Sequence, residues 1–142
     1  MKKFLVINGP NLNMLGTRET SKYGTLNLVD LIKYTEEKLE KYEVKIDWWQ
    51  SNAEHEIINK IHDLVKQDYD ALIINPAAYS HTSIAILDAL RILNIPIIEV
   101  HLTNTHARES FRHSMLTAEA ASIIMSGLGR DAYYFAALSQ LN

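Results

Sequence analysis

Histidine and arginine crowd one part of the chain. Four of its six histidines, His81, His101, His106 and His113, fall between residues 81 and 113, and Arg108 and Arg112 lie in the same stretch. An imidazole gives or takes a proton near neutral pH. A guanidinium grips a carboxylate through two parallel hydrogen bonds. A tyrosine, with an ordinary pKa near ~10, is a poor base unless a cation stabilises its phenolate. Tyr23 has Arg18 on its own loop, and Arg108 or Arg112 could approach it from elsewhere. Other chemistries find no support. There is no cysteine, which excludes disulfides, thiolate nucleophiles and Cys-ligated zinc. No serine sits in a nucleophile elbow, and neither G-x-G-x-x-G nor a P-loop is present. His101, His106 and His113 match no standard metal-ligand spacing and have no carboxylate cluster beside them, so no metal is expected. What remains is cofactor-free acid–base chemistry on a small polar acid.

Such groups must be brought together by a scaffold. Four short apolar runs are nearly continuous and β-branched: FLVI at 4–7, ALII at 71–74, PIIEV at 96–100 and SIIM at 122–125. That pattern suits parallel strands covered by helices on both faces. A fifth run, VKIDWW at 44–49, alternates, as an edge strand does. Helical periodicity marks 26–41, 54–66 and 82–93, and 132–141 reads as a closing helix. Ser51 and Glu54 are spaced as a capping box for the second of these. Strands alternating with helices predict a single α/β domain over 1–142, a doubly wound five-stranded parallel sheet. The flavodoxin-like order 2-1-3-4-5 places the alternating strand at an edge. Ligands bind beyond the carboxyl ends of such strands. Those ends carry Asn8 to Asn11, then Asn75 to His81, then His101 to Asn104 and the segment Thr105 to His113. Topology thus draws Arg18, Tyr23, Asn75, His81, His101, Arg108 and Arg112 towards one rim.

The first connection is unusually long. Residues 8–24 separate the first strand from the next helix, where about 2–6 residues commonly suffice. Each residue also has a plain structural account. Asn8 to Asn11 suit a turn. Tyr23 suits a loop anchor, and His81 a helix cap. Arg108 and Arg112, at i and i+4, suit one solvated helix face. His55 and His62 read as surface or helix residues. Glu99 and His101 share a side of the extended chain, either as a buried pair or with Glu99 orienting a working imidazole. The joint pattern outweighs its parts: three strand-end loops rich in Asn, His and Arg are hard to explain as structure alone. The remaining composition is ordinary, with a net charge of −3 and no basic stripe, which argues against nucleic acid. Only four apolar residues follow Lys2 and Lys3, too few for a signal-peptide core or a membrane span, so a cytoplasmic location is expected.

At these residues the sequence resembles the type II 3-dehydroquinate dehydratases of the shikimate and quinate pathways. The motifs are NGPNLNMLGTRE (8–19), YG (23–24), QSNAEHEIINKIH (50–62), INPAAYSHTSIAILDAL (74–90), EVHLTNTHARESFRH (99–113) and SGLG (126–129). They run in order through nearly the whole chain. Ala77, Ser80 and Ser110 are conservative departures. The resemblance implies reversible loss of water from 3-dehydroquinate to 3-dehydroshikimate, without a cofactor. It implies Tyr23 as the base that forms an enolate and His101 as the acid. Arg18 is then the cation beside Tyr23, with Arg108 near it, Asn11 near the enolate oxygen and Glu99 orienting His101. Asn75, His81 and Arg112, with the backbone amides of Leu102 and Thr103, hold hydroxyls and the carboxylate, and Asp88 serves a neighbouring subunit's site. It further implies a homo-oligomer, a dodecamer built from trimers. On this reading the loop of about 9–24 is a lid, with Gly16 and Gly24 as hinges, and Trp49 on the edge strand is a subunit contact. A flavodoxin-like small-ligand binding module and another lyase or isomerase on a cyclic hydroxy acid remain as alternatives. Lys22, the nearest candidate for Schiff-base chemistry, reads as a solvated loop residue.

Overall fold

The computed structural model describes residues 1–17 and 25–141. Five strands, β1 (Lys2–Asn8), β2 (Val44–Gln50), β3 (Ala71–Asn75), β4 (Ile97–His101) and β5 (Ile123–Ser126), form one parallel sheet in the order β2-β1-β3-β4-β5. Among the described residues four helices cover it: α1 (Leu28–Leu39), α2 (Glu54–Asp63), α3 (Ile84–Leu90) and α4 (Ala132–Leu138). The doubly wound, flavodoxin-like sheet expected from the alternation of elements is present, with β2 at an edge.

The continuous apolar runs have a simple cause. Phe4 and Val6 of β1, Ala71 and Ile73 of β3, and Ile98 and Val100 of β4 point to one face, where Leu31 and Leu39 of α1 and Tyr133 and Ala136 of α4 cover them. Leu5, Ile7, Leu72, Ile74 and Ile97 point to the other, under Ile57 and Ile61 of α2 and Ile86 and Leu90 of α3. Both pleat directions are therefore apolar, and each fully buried aliphatic side chain contributes roughly 1.5–3 kcal/mol. Strand ends are kept in step by the register: Asn8 pairs with Asn75, and Asn8 with Gln50 on the other side. Gly9 then lets two loops meet, since a Cβ there would lie 2.5 Å from the Pro76 carbonyl oxygen.

Several local expectations are corrected. The helices end earlier than their apolar periodicity. Ser51 and Glu54 form no capping box, because α2 starts one residue after Ala53 and Glu54 is already its first residue. Ser51 Oγ instead accepts from Ala53 N at 3.0 Å and donates to Glu56, while Glu54 accepts from Ser83 Oγ at 2.5 Å, tying α2 to the start of α3. His81 is not the cap of α3; that is Ser83, whose hydroxyl accepts from Ile86 N at 3.0 Å. Arg108 and Arg112 share no helix face, since they end two separate short 3-10 turns. Trp49 is half-buried against the second core, with Lys60 Nζ 5.9 Å from its ring, and a single chain does not bear on its reading as a subunit contact. In β5, Ile124 lies exposed. No described helix is long and apolar enough to cross a membrane.

Candidate active site

The carboxyl ends of β1, β3 and β4 open into one cleft. Its lining includes Asn11, Asn75, His81, His101, Leu102, Thr103, Arg108 and Arg112. Eight of the residues singled out in the sequence thus meet. Arg18, Tyr23, Lys22 and Gly24 lie outside the described residues, as does most of the second half of the 9–24 loop. Glu99 stands behind the cleft, touching it through His101. Asp88 is exposed on α3 and does not line this cleft. Among the described lining residues there is no Asp or Glu, so the two arginines carry the formal charge of the lining in a chain that is acidic as a whole. Such a lining suits an anion.

His101 is the last residue of β4, and the pleat puts its side chain beside that of Glu99. His101 Nε2 lies 2.8 Å from Glu99 Oε2. Glu99 is fully buried, and a carboxylate there needs donors. It receives them from Ser80 Oγ at 2.9 Å, from the Thr117 hydroxyl, and from the imidazole. With Nε2 committed to Glu99, the other ring nitrogen, Nδ1, is the one left for a ligand. Of the two readings of the Glu99–His101 pair, the buried pair is what the structure shows, and its imidazole lines the cleft.

His81 closes the 3-10 turn Ala77–His81 after β3. Its ring stacks on that of His101, with centroids 6.1 Å apart. Nδ1 donates to the Ser114 carbonyl at 2.8 Å. Burial holds its pKa below the ordinary imidazole value; the Ser114 carbonyl works against this, while His101 and Arg112 add to it. A neutral His81 bonded in this way keeps a lone pair on Nε2, an acceptor for a ligand hydroxyl. Asn75 is nearly fully buried and ends β3. Its Oδ1 accepts from Ala77 N at 3.1 Å, holding Ala77 at a left-handed φ of 53°.

Asn11 is also left-handed, with φ 69°, and its N–H donates to Asn52 Oδ1 at 2.9 Å. The Leu102 and Thr103 carbonyls are tied towards β5, accepting from Gly129 N at 2.9 Å and Ser126 Oγ at 3.0 Å. Arg112 Nε pairs with Glu109 at 2.5 Å. His106 and His113 stack on each other at 5.5 Å outside the cleft lining. Among the described residues no three His, Asp or Glu side chains are grouped to hold a metal.

Sequence reasoning named the segments that carry Pro10, Ala77, Ala78 and Thr105 but not their part in the lining, and it missed Leu12 and Leu15 of the apolar wall. It missed Thr117 and Tyr133, which support site residues from distant segments and carry no motif of their own.

Known proteins of one family share this chain's sequence pattern and fold. The Dehydroquinase class II family matches over residues 2–141. A 3-dehydroquinate dehydratase of Enterobacter sp. is 50% identical over 132 residues, covering 93% of this chain and 87% of the relative. The type II dehydroquinase of Butyrivibrio crossotus superposes with a TM-score of 0.93 at 41% identity, covering 99% of this chain and 97% of that one. That of Propionibacterium acnes does so with a TM-score of 0.90 at 39% identity, covering 96% and 93%.

Proposed function

The chain belongs to the class II dehydroquinase family, a family of hydro-lyases, and we propose that it converts 3-dehydroquinate to 3-dehydroshikimate by acid–base chemistry with its own side chains. Tyr23 as phenolate takes the proton α to the ketone, leaving an enolate whose oxygen is met near Asn11. Collapse of the enolate expels the β-hydroxyl, which takes a proton from His101 Nδ1 and departs as water. Electrons and protons balance within substrate and protein, so no cofactor is called for. Arg18 and Arg108 are the cations of the reading, the partners that a phenolate base needs. The substrate carboxylate sits on Arg112 and the backbone amides of Leu102 and Thr103. Its hydroxyls are held by His81 and Asn75.

The observation that carries this reading is the Glu99–His101 pair, buried and turned into a cationic cleft. The carboxylate holds one ring nitrogen by a hydrogen bond and leaves the other turned to the cleft, where a general acid has to reach its substrate. The pinched base of the long loop supports its reading as a lid. Gly16 has φ 89°, and a Cβ there would lie 2.8 Å from the Thr25 carbonyl oxygen, so residues 16 and 25 approach closely. A loop with neighbouring ends can close over a substrate and keep water from the enolate.

The test is the ultraviolet absorbance of the conjugated enone formed from 3-dehydroquinate, with EDTA present. Wild type should turn over. Tyr23→Phe and His101→Ala should each lose about 10²–10⁴-fold in kcat, the usual worth of a positioned base or acid. A folded but inactive wild type rejects the reaction. An active Tyr23→Phe keeps the reaction and removes Tyr23 from it.

A further inference from the structure

Tyr133 lies on α4, far in sequence from the strand-end loops, yet its hydroxyl reaches the floor beneath the cleft. The side chain is fully buried, and its ring meets Trp48 edge-on at 5.4 Å. Its O–H donates to Asn8 Oδ1, and its oxygen accepts from Asn75 Nδ2 at 3.1 Å. Asn8 and Asn75 are paired across the β1–β3 ladder, so one phenol spans the ends of both central strands. Burial raises its pKa far above the ordinary phenol value. It therefore stays a neutral phenol and exchanges no proton with the reaction.

A phenol has one proton to give. Once that proton goes to Asn8, the oxygen can only accept from Asn75. The amide of Asn75 must then turn its nitrogen towards Tyr133 and its oxygen towards Ala77 N, as observed. One N–H and one lone pair of Asn75 are used up, and its second N–H and second lone pair are left for the cleft that it lines. Asn8 Nδ2 is buried with no hydrogen-bond partner among the described residues. An unmatched buried donor is a poor choice for stability alone. It is tolerable where the acceptor end of the same amide fixes the direction of a working hydrogen bond.

From this geometry we infer that Tyr133, its proton held by Asn8, is a positioning residue: it fixes the rotation of the Asn75 amide so that an N–H is presented to a substrate hydroxyl. The inference rests on the proposed reaction for its substrate. It makes the C-terminal helix part of the binding apparatus.

The test is steady-state kinetics of Tyr133→Phe, which removes the hydroxyl and keeps the ring. KM should rise about tenfold, the worth of one well-placed hydrogen bond, with kcat within about threefold of wild type. In an Asn75→Ala background the same change should leave KM where Asn75→Ala alone puts it. Asn8→Ala, at a residue that does not line the cleft, should raise KM in the same direction, because the freed Tyr133 proton then competes for Asn75. This second variant also serves if Tyr133→Phe folds poorly. An unchanged KM in either folded variant overturns the inference, as does an undiminished Tyr133→Phe effect without Asn75. If wild type does not turn over 3-dehydroquinate, the proposed reaction has failed first, and the two failures are told apart.

Discussion

At the scale of single residues, the fully buried Glu99 takes its donors from three segments: Ser80 Oγ, the Thr117 hydroxyl and the His101 imidazole. Thr117→Val removes one of them and leaves a buried carboxylate short of a donor, so the imidazole that it holds is less firmly placed. We expect Thr117→Val to lower kcat about tenfold and Thr117→Ser, which keeps the hydroxyl, to restore most of it. Equal loss in both variants, or a lowered melting temperature with kcat unchanged, would make Thr117 merely structural. Glu99 and His101 were legible in the sequence because a two-residue spacing in a strand puts both on one side. Thr117 was not, since nothing local marks a threonine in a 3-10 turn as the partner of a carboxylate on β4. His81 gives a prediction of opposite character. Its pKa is lowered on folding, so the folded state favours the neutral ring. As pH falls through the ordinary value of about 6.5, the unfolded chain takes up this proton first and stability drops. Above that value the contribution is complete. Melting temperatures of wild type and His81→Asn, compared from about pH 8 to about pH 5, should diverge less as the pH falls. A constant difference would deny the shift.

Elements were more legible than residues because burial on two faces leaves a strong mark. Phe4–Ile7, Ala71–Ile74 and Ile97–Val100 read as strands since both pleat directions are apolar along them, with the hydrogen-bonded Glu99 as the exception. Helix ends were the weak point. The apolar stripe of 54–66 continues past Asp63, but Leu64, Val65 and Lys66 bond back to Ile61, His62 and Asp63 in tighter i to i−3 turns. Periodicity cannot tell the last α-turn from such a 3-10 exit. The motif Gln50-Ser51-Asn52 at the end of β2 is a case where an element's end has work to do. Asn52 Oδ1 accepts both Asn11 N at 2.9 Å and Gln50 Nε2 at 3.1 Å, and so anchors the start of the 9–24 loop in its left-handed turn. Both donors converge on one oxygen, so an acceptor is all that the position needs. Asn52→Asp should therefore keep kcat near wild type, while Asn52→Leu should lower it about threefold to tenfold with little change in melting temperature. Equal loss in both variants would mean that the amide nitrogen, not the oxygen, matters.

At the scale of the whole molecule, one observation stays unexplained by a single chain. Asp88 falls within a motif of the site, INPAAYSHTSIAILDAL, yet α3 turns it outward, away from the cleft its neighbours line. If the site uses Asp88, as the resemblance to the dehydroquinases implies, it must do so in another copy's cleft, which the trimers of the implied dodecamer would allow. A closed, head-to-tail ring provides such a contact, because each subunit then gives one face and receives the other. Complementation tests this directly. Tyr23→Phe damages the cleft that carries it, and Asp88→Ala damages the cleft next door. Each variant alone should have little activity. When the two are unfolded, mixed in equal amounts and refolded together, a cleft works if its own Tyr23 is intact and its neighbour's Asp88 is intact. Random assembly puts both conditions together in about one quarter of clefts, so activity should return to about one quarter of wild type. Separate refolding of each variant should return none. If Asp88 acts within its own chain, every mixed cleft retains one of the two lesions and no activity appears. Sedimentation of the refolded mixtures shows whether an oligomer has formed at all, which separates a failed assembly from an unshared site.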